Sequence, residues 1–108
     1  MSYLVMLTDS AVSDLEELDA HITRYDSSER ADHVLSRIEK AIAGLSEQPE
    51  RGVFPQELSE LGIRDYREIF FKPYRIIYRV TESTVYIYLI VDGRRDMETL
   101  LSRRLLDS

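Results

Sequence analysis

The alternation of side chains across residues 72–96 constrains the fold more than any other part of the chain. Lys-Pro-Tyr-Arg-Ile-Ile-Tyr-Arg-Val occupies 72–80, and Val-Tyr-Ile-Tyr-Leu-Ile-Val-Asp-Gly-Arg-Arg-Asp occupies 85–96. Tyr74, Ile76, Tyr78 and Val80 alternate with Arg75, Ile77 and Arg79. A period of two sends successive side chains to opposite faces, so the first run predicts a strand with one apolar face and two guanidinium groups behind it. After the Glu82-Ser83 break, Val85, Ile87, Leu89 and Val91 alternate with Tyr86, Tyr88 and Ile90. The second run therefore reads as the antiparallel partner of the first. On this reading the reverse face of the hairpin is Arg and Tyr.

The elements around the hairpin follow from periodicity and punctuation. Residues 3–8 form a short apolar run suited to a first strand, and Asp9 and Ser10 offer oxygens to the unpaired N–H groups of a helix. Ala11, Leu15, Leu18, Ile22 and Tyr25 then recur at spacings of four and three, which predicts a helix over about 10–25, with Asp14, Glu16, Glu17 and Asp19 on its solvated side. The polar break Asp26-Ser27-Ser28 starts a second stripe of Ala31, Val34, Leu35, Ile38, Ala41, Ile42 and Leu45, and the two helices make a hairpin. Pro49, Gly52 and Pro55 break both periods and predict a loop of about a dozen residues. Residues 63–71 form a third candidate strand, turned by Lys72-Pro73. Asp96 caps a short terminal helix with a stripe of Met97, Leu100, Leu101 and Leu105. The order βααβββ(α) predicts a two-layer α+β domain over 1–108, in which the helical hairpin packs on a mostly antiparallel sheet of about four strands. The other face of that sheet is expected to stay open and to carry Arg75, Arg79, Tyr86 and Tyr88, with Arg94 and Arg95 at its exit.

Composition narrows the function classes. A chain of 108 residues with 44% hydrophobic and 31% charged residues suits one compact domain. No apolar run approaches the ~20 residues that span a bilayer. We therefore expect a cytoplasmic protein that does not enter membranes. With no cysteine and only His21 and His33, both inside helical patterns, neither a metal site nor a cofactor is called for. The net charge of −6 is unevenly spread: residues 1–63 carry 5 basic against 13 acidic side chains, and residues 64–106 carry 9 against 6. Overall acidity argues against direct nucleic-acid binding through the net field, while a local basic face remains able to meet acidic groups on a partner.

The βααβββ order, the loop with Pro49, Gly52 and Pro55, the Tyr-Arg-Ile-Ile-Tyr-Arg-Val strand and the Gly-Arg-Arg-Asp exit at 93–96 together resemble the ParE branch of the RelE/ParE toxin superfamily. The resemblance covers essentially the whole chain, and its specificity lies in residues 72–96. It implies the toxin of a type II toxin–antitoxin pair, of the kind also described as plasmid stabilisation systems, held inactive by a cognate protein antitoxin. ParE-like members poison DNA gyrase, so gyrase is the implied target. RelE-like members are ribosome-dependent mRNA endoribonucleases, and this is the alternative; a degenerate module that only binds antitoxin is a third.

The resemblance places Arg75 where RelE-like nucleases use a basic residue against the reacting phosphate, and Arg95 at a second such position. Guanidinium groups there would stabilise charge developing on phosphate while a base removes the 2′-hydroxyl proton. The base is missing from the pattern. Leu101 stands where the RelE pattern has a tyrosine, both histidines lie in the helical hairpin, and Glu68, Tyr86 and Tyr88 remain the nominees. A tyrosine with a reference pKa of about 10 is a poor base near neutrality. Asp92 also departs from the histidine that many ParE-like chains place before Gly-Arg-Arg-Asp. The expectation is a binding toxin with no catalytic residues, whose antitoxin or target surface is drawn from Arg75, Arg79, Tyr86, Tyr88, Arg94 and Arg95. The competing bland reading has the sheet arginines paired with Glu68 or other acidic neighbours on a solvated face, and Asp96 serving only as a cap.

Overall fold

A computed structural model describes residues 2–106. Strand β1 (Leu4–Leu7) leads into helices α1 (Asp9–Tyr25) and α2 (Ser28–Ala43), and a 3-10 turn (Gly44–Ser46) closes the helical hairpin. A short helix, α3 (Gln56–Ser59), precedes strands β2 (Arg67–Phe71), β3 (Tyr74–Thr81) and β4 (Thr84–Asp92). Helix α4 (Met97–Leu101) and one π-helical turn (Ser102–Leu106) end the described chain. The sheet order is β1-β4-β3-β2. β2, β3 and β4 form an antiparallel meander, and β1 joins β4 in parallel, because the helical hairpin carries the chain across the sheet before it returns. The expected α+β order is present, with α3 as an addition between the predicted loop and the third candidate strand. Caps act where short polar residues precede the helices: Thr8, and not the expected Asp9 or Ser10, which already lie in the first turn of α1, accepts from Ala11 N–H at 3.1 Å, Ser27 accepts from Arg30 N–H at 3.0 Å, and Asp96 from Thr99 N–H at 3.3 Å.

The principal core lies between the helical hairpin and the sheet. Ala11, Ile22, Ala31, Val34, Ile38, Ile42 and Leu45 meet Ile69, Ile76, Tyr78, Val85, Ile87 and Ile90, all buried. Tyr78 is fully buried, yet its hydroxyl is satisfied: it donates to the Pro49 carbonyl at 2.7 Å and accepts from Gly52 N–H at 3.0 Å. Burial pushes its phenol pKa up. A Cβ at position 52 would lie 2.5 Å from that hydroxyl oxygen, so only glycine lets the loop close over the tyrosine. The loop of Pro49, Gly52 and Pro55 and the middle of β3 are therefore one packing unit.

Two expectations are corrected here. The reverse face of the sheet is not open along its length, because α3 and α4 cover half of it with a second core of Leu58, Ile77, Leu89, Val91, Met97, Leu100 and Leu101. Leu89 and Val91 also do not share a face with Val85 and Ile87. Ile77 pairs with Leu89 and Tyr78 with Ile87, which leaves Tyr88 as the extra residue of a bulge. That extra residue inverts the parity of β4 and turns Leu89 and Val91 toward α4, with Ile90 left on the helical-hairpin side.

Candidate functional site

The six residues singled out in the sequence do not converge. Arg75 enters the region between the sheet and α3, where its side chain is 13% exposed. Its Nη1 and Nη2 donate to the two carboxylate oxygens of Glu57, each at 2.8 Å, and its Nε donates to Glu68 at 2.6 Å. Three of the five N–H donors of a guanidinium are thus held by carboxylates. The fork on Glu57 holds that carboxyl below its ordinary pKa, while burial pushes Glu68 above its own despite the same arginine. Both carboxylates reinforce the charge on Arg75, Glu57 the more strongly. The arginine stem crosses the Gly-Arg-Arg-Asp turn: a Cβ at Gly93 would lie 2.6 Å from Arg75 Cδ. Gly93 is therefore the residue that lets the turn and the buried arginine share one place.

Arg79, on the same strand and face, stays accessible. Its side chain is 41% exposed, its only ion pair among the described residues is a 4.0 Å approach to Asp65, and its guanidinium carbon lies 6.0 Å from the centre of the Tyr66 ring. Arg79 sits opposite Tyr86 in the β3–β4 register. Tyr66 meets Tyr88 edge-on at 5.6 Å. Beyond Tyr86, the register of β1 places Met6, and both Leu4 and Met6 are exposed. Arg79, Tyr66, Tyr86 and Tyr88, edged by Met6, form the uncovered part of the reverse face, which is aromatic and cationic. Tyr66 and Met6 were not among the sequence-derived candidates, because the face each presents depends on strand register.

Arg94 and Arg95 are both exposed at the strand exit. Arg94 is bound to Asp92 through Nε at 2.9 Å and Nη2 at 2.5 Å, and this bond holds Asp92 below the ordinary carboxylate range. Arg95 is exposed, and both arginines line a cleft between α1 and the end of β4 with Asp14, Glu17, His21 and Tyr74. Asp14, expected on a solvated helix face, is buried instead. It takes a two-pronged ion pair from Arg104, both bonds 3.0 Å, and accepts from Ile90 N–H at 3.0 Å. Arg104 also donates to the Tyr88 carbonyl at 3.0 Å. β1 pairs only as far as Ile87, so Asp14 and Arg104 satisfy the stretch of β4 edge that β1 does not reach.

Residues 5–97 match the family model described as the ParE toxin of the type II toxin-antitoxin system, parDE. The chain belongs to the ParE toxin family. Among solved structures it is similar to a chain of the chromosomal ParDE system of P. aeruginosa, with 17% identity, coverage of 84% of this chain and 96% of that one, and a TM-score of 0.70. A chain of the toxin–antitoxin complex RelBE2 of Mycobacterium tuberculosis gives 22%, 85%, 92% and 0.61 in the same order. An arginine-to-alanine double mutant of the E. coli toxin RelE in the free state gives 16%, 97%, 100% and 0.64. A search of curated protein sequences finds no match. At these identities the solved structures speak for a shared fold, and the family match makes this chain a type II toxin of the ParE kind. No helix among the described residues is long and apolar enough to cross a membrane.

Proposed function

We propose that this ParE-family toxin arrests growth by binding DNA gyrase, without chemistry of its own, and that a cognate antitoxin protein neutralises it in the cytoplasm. The observation that carries the reading is the state of Arg75. The arginine that a RelE-like nuclease would turn toward a phosphate is here packed under α3 and engaged by Glu57 and Glu68. Leu101, at the place of the RelE tyrosine, is 1% exposed in the second core, so the two positions that a RelE-like nuclease would give to a cation and a tyrosine are both taken up by packing here. The partner surface we assign is Arg79 with Tyr86 and Tyr88, extended by Arg94 and Arg95 at the strand exit. An exposed arginine beside aromatic rings is suited to carboxylates on a protein partner.

Purified protein assayed in parallel tests this. Inhibition of gyrase supercoiling, weakened by Arg79→Ala, is expected. Ribosome-dependent mRNA cleavage with unaffected supercoiling would overturn it in favour of the endoribonuclease reading, and an inert protein that still bound its antitoxin would leave only a binding module.

A further inference from the structure

The outer edge of the sheet leaves main-chain groups unpaired beside a basic groove. β2 is an edge strand, and its outward main-chain groups are those of Glu68 and Phe70, since Arg67, Ile69 and Phe71 stand opposite Tyr78, Ile76 and Tyr74 on β3 in the hydrogen-bonded positions set by the two-residue turn. Val53 pairs with Glu68 in both directions, at 3.0 and 2.7 Å. Continuing that short antiparallel pairing would bring Arg51 opposite Phe70. The Arg51 N–H instead donates to the Gln48 carbonyl at 3.3 Å, so the chain turns away and one rung of the ladder is left open. Phe70, with half its surface exposed, stands at that rung.

The groove beside it measures about 330 Å³ and is lined by Arg37, Lys40, Arg51, Phe70 and Phe71, with no acidic side chain among the residues that face it. Arg37 lies over the Phe71 ring at 5.4 Å and Arg51 donates to the Ala41 carbonyl at 3.2 Å. Three of the five basic residues of the otherwise acidic segment 1–63 are thus gathered at one place. We infer that this groove takes an extended, acidic segment of a partner protein, which completes the Phe70 rung with its main chain and sets carboxylates on Arg37, Lys40 and Arg51. The open rung favours a peptide over a nucleic acid, because only a peptide offers a matched N–H and C=O. The inference is independent of the toxin's target.

The test uses a fluorescein-labelled octapeptide alternating glutamate and valine, its lysine-for-glutamate counterpart, and a single-stranded oligonucleotide of equal charge, each titrated by anisotropy into the full chain. The glutamate peptide is expected to bind at about 100 μM or tighter, with salt weakening it. Arg37→Glu with Lys40→Glu should weaken it at least about tenfold in a protein whose melting curve shows it folded. The Phe70 amide should exchange more slowly with solvent in the complex, a readout that needs no variant. No binding, equal binding of the lysine peptide, tighter binding of the oligonucleotide, or an unchanged Phe70 amide would each overturn the inference.

Discussion

Arg75 and Arg79 stand four residues apart on one strand and on one face, each after a tyrosine and before a β-branched residue, and the structure gives them opposite fates. Arg75 is clamped by two carboxylates beneath α3, whereas Arg79 lies in the open among tyrosines. The difference comes from what lies above the strand. Leu58 of α3 and Met97, Leu100 and Leu101 of α4 need apolar surface to cover, and the sheet offers it at Ile77, Leu89 and Val91. Once those helices dock there, Arg75 is trapped at their margin and must be neutralised, which Glu57 and Glu68 do. Arg79 lies past that cover. One arginine is thereby committed to holding the fold and the other is free to meet a partner.

The largest effect expected from breaking this contrast is on stability. Arg75→Ala leaves Glu68 buried and unpaired, which costs about 3–5 kcal/mol by analogy with broken buried pairs, while Arg79→Ala should cost less than about 1 kcal/mol. Urea unfolding of the two variants side by side measures the difference, and equal losses would show that Arg75 is not the structural member of the pair. Next in size, Leu101→Ala removes a fully buried side chain from the cover over Ile77 and Leu89, at about 2–5 kcal/mol. It should unfold at lower denaturant and, on the proposed reading, without a selective loss of gyrase inhibition per folded molecule. Deleting residues 97–108 outright would strip the second core, so point variants are the sharper probe of what the terminal segment does.

Tyr78→Phe follows, at about 1–3 kcal/mol, since it leaves Gly52 N–H and the Pro49 carbonyl without their shared partner. The same unfolding measurement tests it, and a neutral outcome would mean that the loop finds another hydrogen bond.

The smallest expected effect concerns acid. Glu57, Asp92 and Asp96 have folded pKa values below their unfolded ones, Glu57 and Asp92 through arginine and Asp96 through Thr99. Their contribution is present above the unfolded carboxylate range and is lost as pH falls through the lowered values. Glu68 has the opposite sign: its raised value costs stability as pH climbs above about 4.5, so its protonation partly offsets the acid loss of the others. Glu57→Gln should flatten the fall of stability below about pH 5, and Glu68→Gln should steepen it. Melting temperatures across pH 3–6 distinguish the two slopes.

Much of the fold was legible because its signals are local. The spacing of Val34, Ile38 and Ile42, the polar break at Asp26-Ser27-Ser28 and the alternation in β3 each depend on residues within a turn or two, and the helical hairpin, the strands and the terminal cap at Asp96 appear where those patterns lie. The site was less legible. Asp14 reads as one more solvated acid on α1 until Arg104, ninety residues on, is placed beside it. Leu89 and Val91 follow an unbroken alternation that gives no sign of the bulge at Tyr88, because a bulge is set by the pairing of two strands and not by either alone. Glu57 lies just past a segment whose Pro and Gly content announces a loop, and docking of Leu58 in the second core sets the short helix that reaches Arg75.

By itself, then, the sequence determined the order of the strands and long helices, the apolar face of β3, the cap at Asp96 and the family, since each follows from side-chain periodicity, local hydrogen bonding or a motif read in line. Tertiary structure alone decided which of the arginines is structural and which is presented, which acids are buried and where the sheet remains open. Those outcomes depend on distances between segments far apart in the chain, and on the low polarizability of a packed interior, which makes a charge such as Arg75 bind its carboxylates or stay outside.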